Sequence, residues 1–280
     1  MVVGGRTIRL GMLALVCAFN GAMGQTVLLQ IRPHIGDTLR MHLSQSVEMV
    51  GTTHERGKDS TSTLTTSIEV FTRAIAEQWT SGGTLMQTII DSVKMNPASQ
   101  ASLDDLKRRA LQSKKVWLRV SPDGAMEVVH DDDPANELRD IFGGMPAMLS
   151  RQTVTVGKTW TREMSIPLSG EPGALGTVKA TFKLDSLSRN GDLAYVSLQG
   201  TLARLTEPAP QASAAGYTTS GTLSGRIQID RRLGWITDSR SSIIVRSTIA
   251  AVPGRKGDQA RGPMQVRTKI TQWIRAMRAR

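Results

Sequence analysis

Apolar and polar residues alternate along much of this chain, and this period of two restricts the possible folds more than any other feature. The stretches with this pattern are 39–43, 64–70, 85–95, 178–184, 223–229 and 266–274. Such alternation places apolar side chains on one face of a strand and polar side chains on the other. A strand with one buried and one wet face is typical of an antiparallel sheet.

Three predicted turns separate these runs. Ser121-Pro122-Asp123-Gly124 lies between two apolar runs, and Asn190-Gly191 is a pair that favours a tight hairpin. Residues 230–234 form the third predicted turn. About ten strands, mostly joined to their neighbours in the chain, predict a meander.

Two helices are predicted in the segment 100–150. Ser102 can cap a helix over 102–115, which starts acidic and ends basic, as the helix dipole prefers. Asp133 and Pro134 can begin a second helix over 134–149. A hairpin, 116–120 and 126–129, lies between them. The predicted fold class is mainly β (α+β): a large curved antiparallel meander sheet, or half-barrel, covered by these two helices.

Residues 1–24 have the order of a secretory signal peptide. Arg6 and Arg9 precede an apolar stretch, 10–19, and Ala22-Met23-Gly24 supplies small residues at a cleavage site. We expect export to the periplasm or beyond the cell after cleavage near Gly24. The only cysteine, Cys17, lies in this leader, so thiol chemistry is not expected in the mature chain.

We expect residues 25–280 to form a single β-rich domain with a central helical insert at 100–150. A faint repeat suggests an alternative. Ile35-Gly36-Asp37-Thr38-Leu39 and Val156-Gly157-Lys158-Thr159-Trp160 share one pattern, apolar-Gly-charged-Thr-apolar. Two related β domains meeting near residue 152 would explain it, and so would a common strand-entry turn.

The chain is basic, with a formal net charge of +11, or +9 without the two arginines of the leader. The positive charges concentrate in 107–115 and in the C-terminal segment from Arg255 to Arg280. Such a surface favours anionic partners of the cell envelope. Aromatic residues are not interleaved with the basic clusters, so nucleic acid is not an expected partner.

The best candidate for a metal site is His130-Asp131-Asp132-Asp133. Oxygen ligands and an imidazole suit a divalent cation, but the run leads into Pro134, where carboxylates also serve as helix caps. Gly157-Lys158-Thr159 resembles the end of a phosphate-binding loop, yet the residues after it are predicted to form a strand. A catalytic serine, cysteine or zinc motif is also missing from the sequence. No catalytic residue, cofactor or metal is therefore predicted.

A glycine- and methionine-rich stretch, 141–149, is the candidate ligand-binding segment. Methionines suit irregular apolar partners. The predicted ligand-contacting residues are Leu138, Ile141, Phe142, Met145, Met148 and Leu149. The competing interpretation is that these side chains fill the core.

The order of leader, Ile35-to-Leu39 strand entry, central insert and Val156-Gly157-x-x-Trp160 resembles a family of uncharacterised secreted bacterial proteins. That family has no assigned activity, so the resemblance implies no catalytic residues. The expected architecture is also similar, more distantly, to the periplasmic lipoprotein carriers, which hold acyl chains between a curved sheet and helices.

These observations predict an exported, non-enzymatic protein that binds an apolar or lipid-like ligand between sheet and helices. Two alternatives stay open. One is an envelope surface protein that binds polyanions through its basic C-terminal segment. The other is a metal-dependent enzyme centred on the cluster from His130 to Asp133.

Overall fold

A computed structural model describes residues 24–55, 58–96, 114–131, 146–167, 175–204, 217–249 and 264–277. Most of these residues lie in strands. The strands are β1 (Thr26–Val27), β2 (Thr38–Glu55), β3 (Lys58–Thr80), β4 (Gly83–Asn96), β5 (Lys115–Val120), β6 (Met126–Asp131), β7 (Val154–Thr155), β8 (Thr159–Pro167), β9 (Leu175–Leu187), β10 (Leu193–Arg204), β11 (Tyr217–Asp230), β12 (Trp235–Ile249) and β13 (Met264–Met277).

Eleven strands form one antiparallel sheet in the order β6-β5-β4-β3-β2-β13-β12-β11-β10-β9-β8. Every neighbour in this order is also a neighbour in the chain, except where β13 pairs with β2. The predicted antiparallel meander is thus confirmed. The turns predicted at 121–124, 190–191 and 230–234 all join consecutive strands.

One face of this sheet, called the inner face here, holds the hydrophobic core. The alternation seen in the sequence places Val178, Ala180, Phe182 and Leu184 of β9 on that face, each at most 2% exposed. Lys179 and Lys183 lie on the outer face and are exposed. Buried side chains on the inner faces of β2 to β5 and of β8 to β12 also belong to the core.

The sheet is strongly curled. The Val156 amide, just before β8, donates to the Gln25 carbonyl, and the Ile31 amide donates to Pro122 in the β5–β6 turn. Six residues of chain reach at most about 21 Å. A flat sheet would separate β5 from β8 by about 43 Å. The two edges must therefore bend toward each other around the core.

The predicted mixed class is wrong, because the structure describes an all-β protein. The described residues contain no helix, and hence none long and apolar enough to cross a membrane. Most of the two predicted helices lies outside the described residues. Where they enter the described part, Lys115 begins β5 and residues 146–149 are irregular. The capping and dipole signals are real sequence patterns, but the described sheet is not covered by helices.

Two extended segments cover the core at one end of the sheet instead. Residues 25–31 place Val27, Leu29 and Ile31 against it, all at most 4% exposed. Residues 146–155 add Leu149 and Val154, and β1 pairs with β7. The apolar residues over 27–31 alternate with period two, which is the pattern of an extended segment with one buried face. An extended segment therefore covers the core, whereas helices are predicted to cover it.

The repeated glycine motifs form equivalent turns. Gly36 and Gly157 have φ of 87° and 85°, a left-handed conformation that favours glycine. The Gly36 amide donates to Ala76 of β3, and the Gly157 amide donates in the same way to Leu184 of β9. Each turn then enters the strand that pairs with that partner. The strand order β6 to β2 therefore matches the order β12 to β8, and β13 connects the two series.

Candidate functional site

The central strands are longer than the core needs, and their inner face continues beyond it as an apolar surface. We call this surface the apolar band. It consists of Val47 and Met49 of β2, Leu64 of β3, Leu223 of β11, Ile243 and Val245 of β12, and Ile270 of β13. Leu64 is 49% exposed, and the other six are half-buried. Leu223 and Val245 pack against the core, so the band adjoins the core and continues from it along the inner face.

Strand register places these residues in two continuous rows. In the first row, Leu223 lies opposite Ile243, which lies opposite Ile270, which lies opposite Val47. In the second row, Val245 and Met49 flank Thr268, and Met49 lies opposite Leu64. Neighbours in such rows have Cβ atoms about 5 Å apart. Thr268, a buried polar residue, interrupts the second row, and the first row makes the band continuous from β11 to β2.

A pair of side-chain amides borders the band on the side of the core. Gln45 of β2 and Gln272 of β13 lie directly opposite each other on the inner face, next to Ser241 of β12. Both glutamines are half-buried. Within the described part of the chain, neither side chain makes a hydrogen bond. The pair therefore offers donors and acceptors to a ligand that lies on the band.

The apolar band has no positively charged side chain among its residues. Its two rows and the amide pair contain no lysine or arginine, and Arg267 and Lys269 of β13 alternate onto the outer face. Arg162 of β8 does lie at an inner-face position, opposite Ala180. It donates a hydrogen bond to the Leu149 carbonyl, so it is engaged with the segment that covers the core.

Of the predicted ligand-contacting residues, two can be placed. Leu149 is fully buried in the core, where its amide donates to the Asp123 carbonyl. Met148 is half-buried and packs against the core, and its carbonyl accepts from the Trp160 indole at 2.8 Å. Leu138, Ile141, Phe142 and Met145 lie outside the described residues. The two placed residues thus hold the covering segment in position.

Only two residues of the candidate metal cluster lie in the described part of the chain. His130 lies in β6 with its ring 5.1 Å from that of Trp117, and Asp131 ends the strand. Asp132 and Asp133 lie outside the described residues. Among the residues that are described, no group of three potential ligands comes together. Gly157-Lys158 forms a turn into β8, a strand as predicted.

A small pocket of about 260 Å³, lined by both apolar and polar residues, lies at the covered end of the sheet. Asp123, only 4% exposed, accepts hydrogen bonds there from the Ser121 hydroxyl and from Arg151 at 2.8 Å. Burial alone would raise the pKa of Asp123, but these bonds, the Ala125 amide and the charge of Arg151 together hold it below its ordinary value. Both oxygens of the Asp123 carboxylate accept hydrogen bonds from the protein, and these bonds anchor the turn at 121–125.

Sequence reasoning missed the apolar band and the amide pair. The alternation around Leu223 and Ile270 was visible, but the matching residues Val47 and Ile243 stand in less regular surroundings. The detectable signal was strand length. Strands of 14 to 18 residues exceed the usual five or six and extend past any compact core.

Residues 124–236 match a family of unknown function, DUF6263. The matched segment runs from the β5–β6 turn into β12 and includes Val156, Gly157 and Trp160. This similarity agrees with the predicted resemblance to a family without assigned activity. A search of the curated proteins finds no match to this chain.

Proposed function

We propose that the protein binds an amphipathic molecule with an acyl chain on the apolar band, without performing chemistry on it. The observation that carries this proposal is the pair of apolar rows that extends from the core along the inner face. Ligand sites are mostly apolar with a few polar anchors. Here the amide pair, Gln45 and Gln272, supplies the anchors.

The chemistry of the anchors favours an uncharged polar head group. Carboxamides donate and accept hydrogen bonds but carry no charge. The two glutamines lie at the deep border of the band, so a head group such as an ester or amide would contact them while its chain follows the rows. A bound chain would cover surface that is now open to water, which stabilises the complex by about 25 cal/mol for each Å².

The test compares two neighbouring isoleucines of β12. Ile243 lies in the band, whereas Ile244 is also half-buried but lies on the outer face. We expect Ile243→Ser to weaken binding of a fluorescent fatty-acid probe about tenfold, the cost of losing much of one buried apolar side chain. Ile244→Ser should leave binding unchanged. Equal effects of the two substitutions, or no binding by the wild type, would refute the proposal.

We further propose that the protein is exported and that residues 1–24 are removed. The support is the basic, apolar and small-residue order of the leader. Intact-mass measurement of protein purified from its native envelope should give a chain beginning at Gln25. Native mass spectrometry and lipid extraction of the same sample should reveal the copurifying amphiphile. A retained Met1 would contradict the proposal of export.

A further inference from the structure

We propose that the outer face of β11, β12 and β13 binds a linear polyanion. Two pairs of arginines face each other directly across these strands. Arg226 of β11 lies opposite Arg240 of β12, and Arg246 of β12 lies opposite Arg267 of β13. All four side chains are exposed. This arginine face, as we call it, lies on the opposite side of the sheet from the apolar band and does not depend on the function proposed there.

Like charges directly opposite each other on a sheet are destabilising. Arg226, Arg246 and Arg267 have no carboxylate within salt-bridge distance in the described part of the chain. Arg240 contacts Asp238 at 3.5 Å, an exposed pair that contributes little. Within the described residues, the repulsion between Arg246 and Arg267 is therefore left uncompensated, and that between Arg226 and Arg240 is offset only weakly. A bound anion would offset it.

Trp273 holds part of this face in a fixed arrangement. The guanidinium of Arg240 lies 4.6 Å from the centre of the indole ring, and that of Arg275 lies 5.4 Å from it. The indole nitrogen donates to Asp238 at 3.0 Å, which fixes the ring. Guanidinium groups positioned in advance lose less entropy on binding an anion.

The spacing of the arginines indicates a polymer rather than a small ion. Arg240 and Arg246 are six residues apart on one strand, or about 20 Å. The positions between them on this face include the hydroxyls of Ser224, Ser242 and Thr271. A single phosphate or sulfate cannot bridge that distance, whereas a linear polymer with repeated charges can. The sheet curls around the core, so this face is convex and suits a chain better than a flat lipid surface.

The probe is a series of heparin oligosaccharides of defined length. We expect Arg246→Gln with Arg267→Gln to weaken binding of a dodecasaccharide about tenfold or more, because two charge-assisted contacts are lost. The control is Lys179→Gln with Lys183→Gln, which removes the same charge from exposed outer positions of β9. It should change affinity less than about threefold. The arginine variant should also show a weaker dependence of affinity on salt.

Three results would overturn the proposal. The first is an equal loss of affinity in both double variants, which would indicate net charge alone. The second is an equal affinity for a disaccharide and for the dodecasaccharide, which would exclude a site that spans both arginine pairs. The third is tighter, arginine-dependent binding to phosphatidylglycerol vesicles than to heparin, which would identify a membrane surface instead.

Stability supplies a separate readout. Without polyanion, Arg246→Gln should raise the melting temperature, since it removes one of two facing like charges. Added dodecasaccharide should raise the melting temperature of the wild type more than that of the double arginine variant. A lower melting temperature for Arg246→Gln would show that the pair is not repulsive and would contradict the argument.

Discussion

At the scale of single residues, Asp123 shows how one buried carboxylate joins distant parts of the chain. Its side chain accepts from Ser121 and Arg151, and its backbone carbonyl accepts from the amides of Met148 and Leu149 at 2.9 Å. The β5–β6 turn is thereby tied to the segment that leads into β7. Because the side chain of Arg151 is 79% exposed, its charge is screened by water, and the Ser121 hydroxyl is the more effective partner.

We expect Asp123→Asn to lower the free energy of unfolding at pH 7 by about 1–3 kcal/mol, since it weakens buried hydrogen bonds. The pKa of Asp123 is lowered in the folded state, so the folded protein binds fewer protons than the unfolded one. The ionised Asp123 carboxylate therefore contributes to the free energy of unfolding above its pKa in the unfolded chain, about 3.9. This contribution is lost as the pH falls through the lower pKa of Asp123 in the folded protein. Urea unfolding from pH 7 to pH 3 should therefore show a shallower loss for the variant.

The control for this prediction is Asp185→Asn. Asp185 is 40% exposed and lies 3.6 Å from Lys183, an ordinary surface ion pair. Its substitution should cost less than about 0.5 kcal/mol at any pH. An unchanged pH dependence in Asp123→Asn would mean that the carboxylate has the same pKa in both states.

Two glycines with positive φ differ in the space around them, and this difference predicts different costs. A Cβ added at Gly36 would meet no atom within 4 Å, whereas one at Gly234 would overlap the carbonyl group of Arg32. Gly36→Ala should cost about 1 kcal/mol, the strain of a left-handed alanine. Gly234→Ala should cost about 3 kcal/mol or more, because the chain at Arg32 must also move. Equal melting temperatures for the two variants would contradict this account.

At the scale of elements, strands and turns were predictable from sequence because each has a local cause. Alternation identified the runs that became β3, β9 and β11, and Asn190-Gly191 identified a hairpin. The covering layer was not predictable in the same way. Apolar residues at 27, 29 and 31 form a run of only five positions. Such a short run does not show whether the segment pairs as a strand within a sheet or packs across the face of one. The candidate site was missed because it depends on register between strands that are far apart in the chain.

The extended segment 25–31 should be essential for stability, and two adjacent leucines test this. Leu29 is 1% exposed and Leu28 is 39% exposed. We expect Leu29→Ala to lower the free energy of unfolding by about 2–5 kcal/mol, through lost burial and the cavity that remains. Leu28→Ala should cost less than about 1 kcal/mol. Similar losses in chemical denaturation would mean that the segment does not pack on the core.

At the scale of the whole molecule, the sheet joins two similar series of strands into one structure. The turns at Gly36 and Gly157 begin these series, and β13 pairs with β2 on one side and with β12 on the other. The core also continues from β5 to β9 without a break between them. Residues on both sides of position 152 contribute to that core, since Leu149 and Val154 are buried.

This continuity predicts that both series unfold together. Val70 of β3 and Val178 of β9 are each 2% exposed, one in each series. Val70→Ala and Val178→Ala should each lower the stability of the same single transition by about 2 kcal/mol, with an unchanged m value. Val129→Ala in β6, at a side chain 44% exposed, is the control and should cost little. Circular dichroism and tryptophan fluorescence should give coincident curves for every variant. If two transitions appeared and Val70→Ala shifted only one of them, the two series would be separate domains, because destabilising one would then leave the other folded.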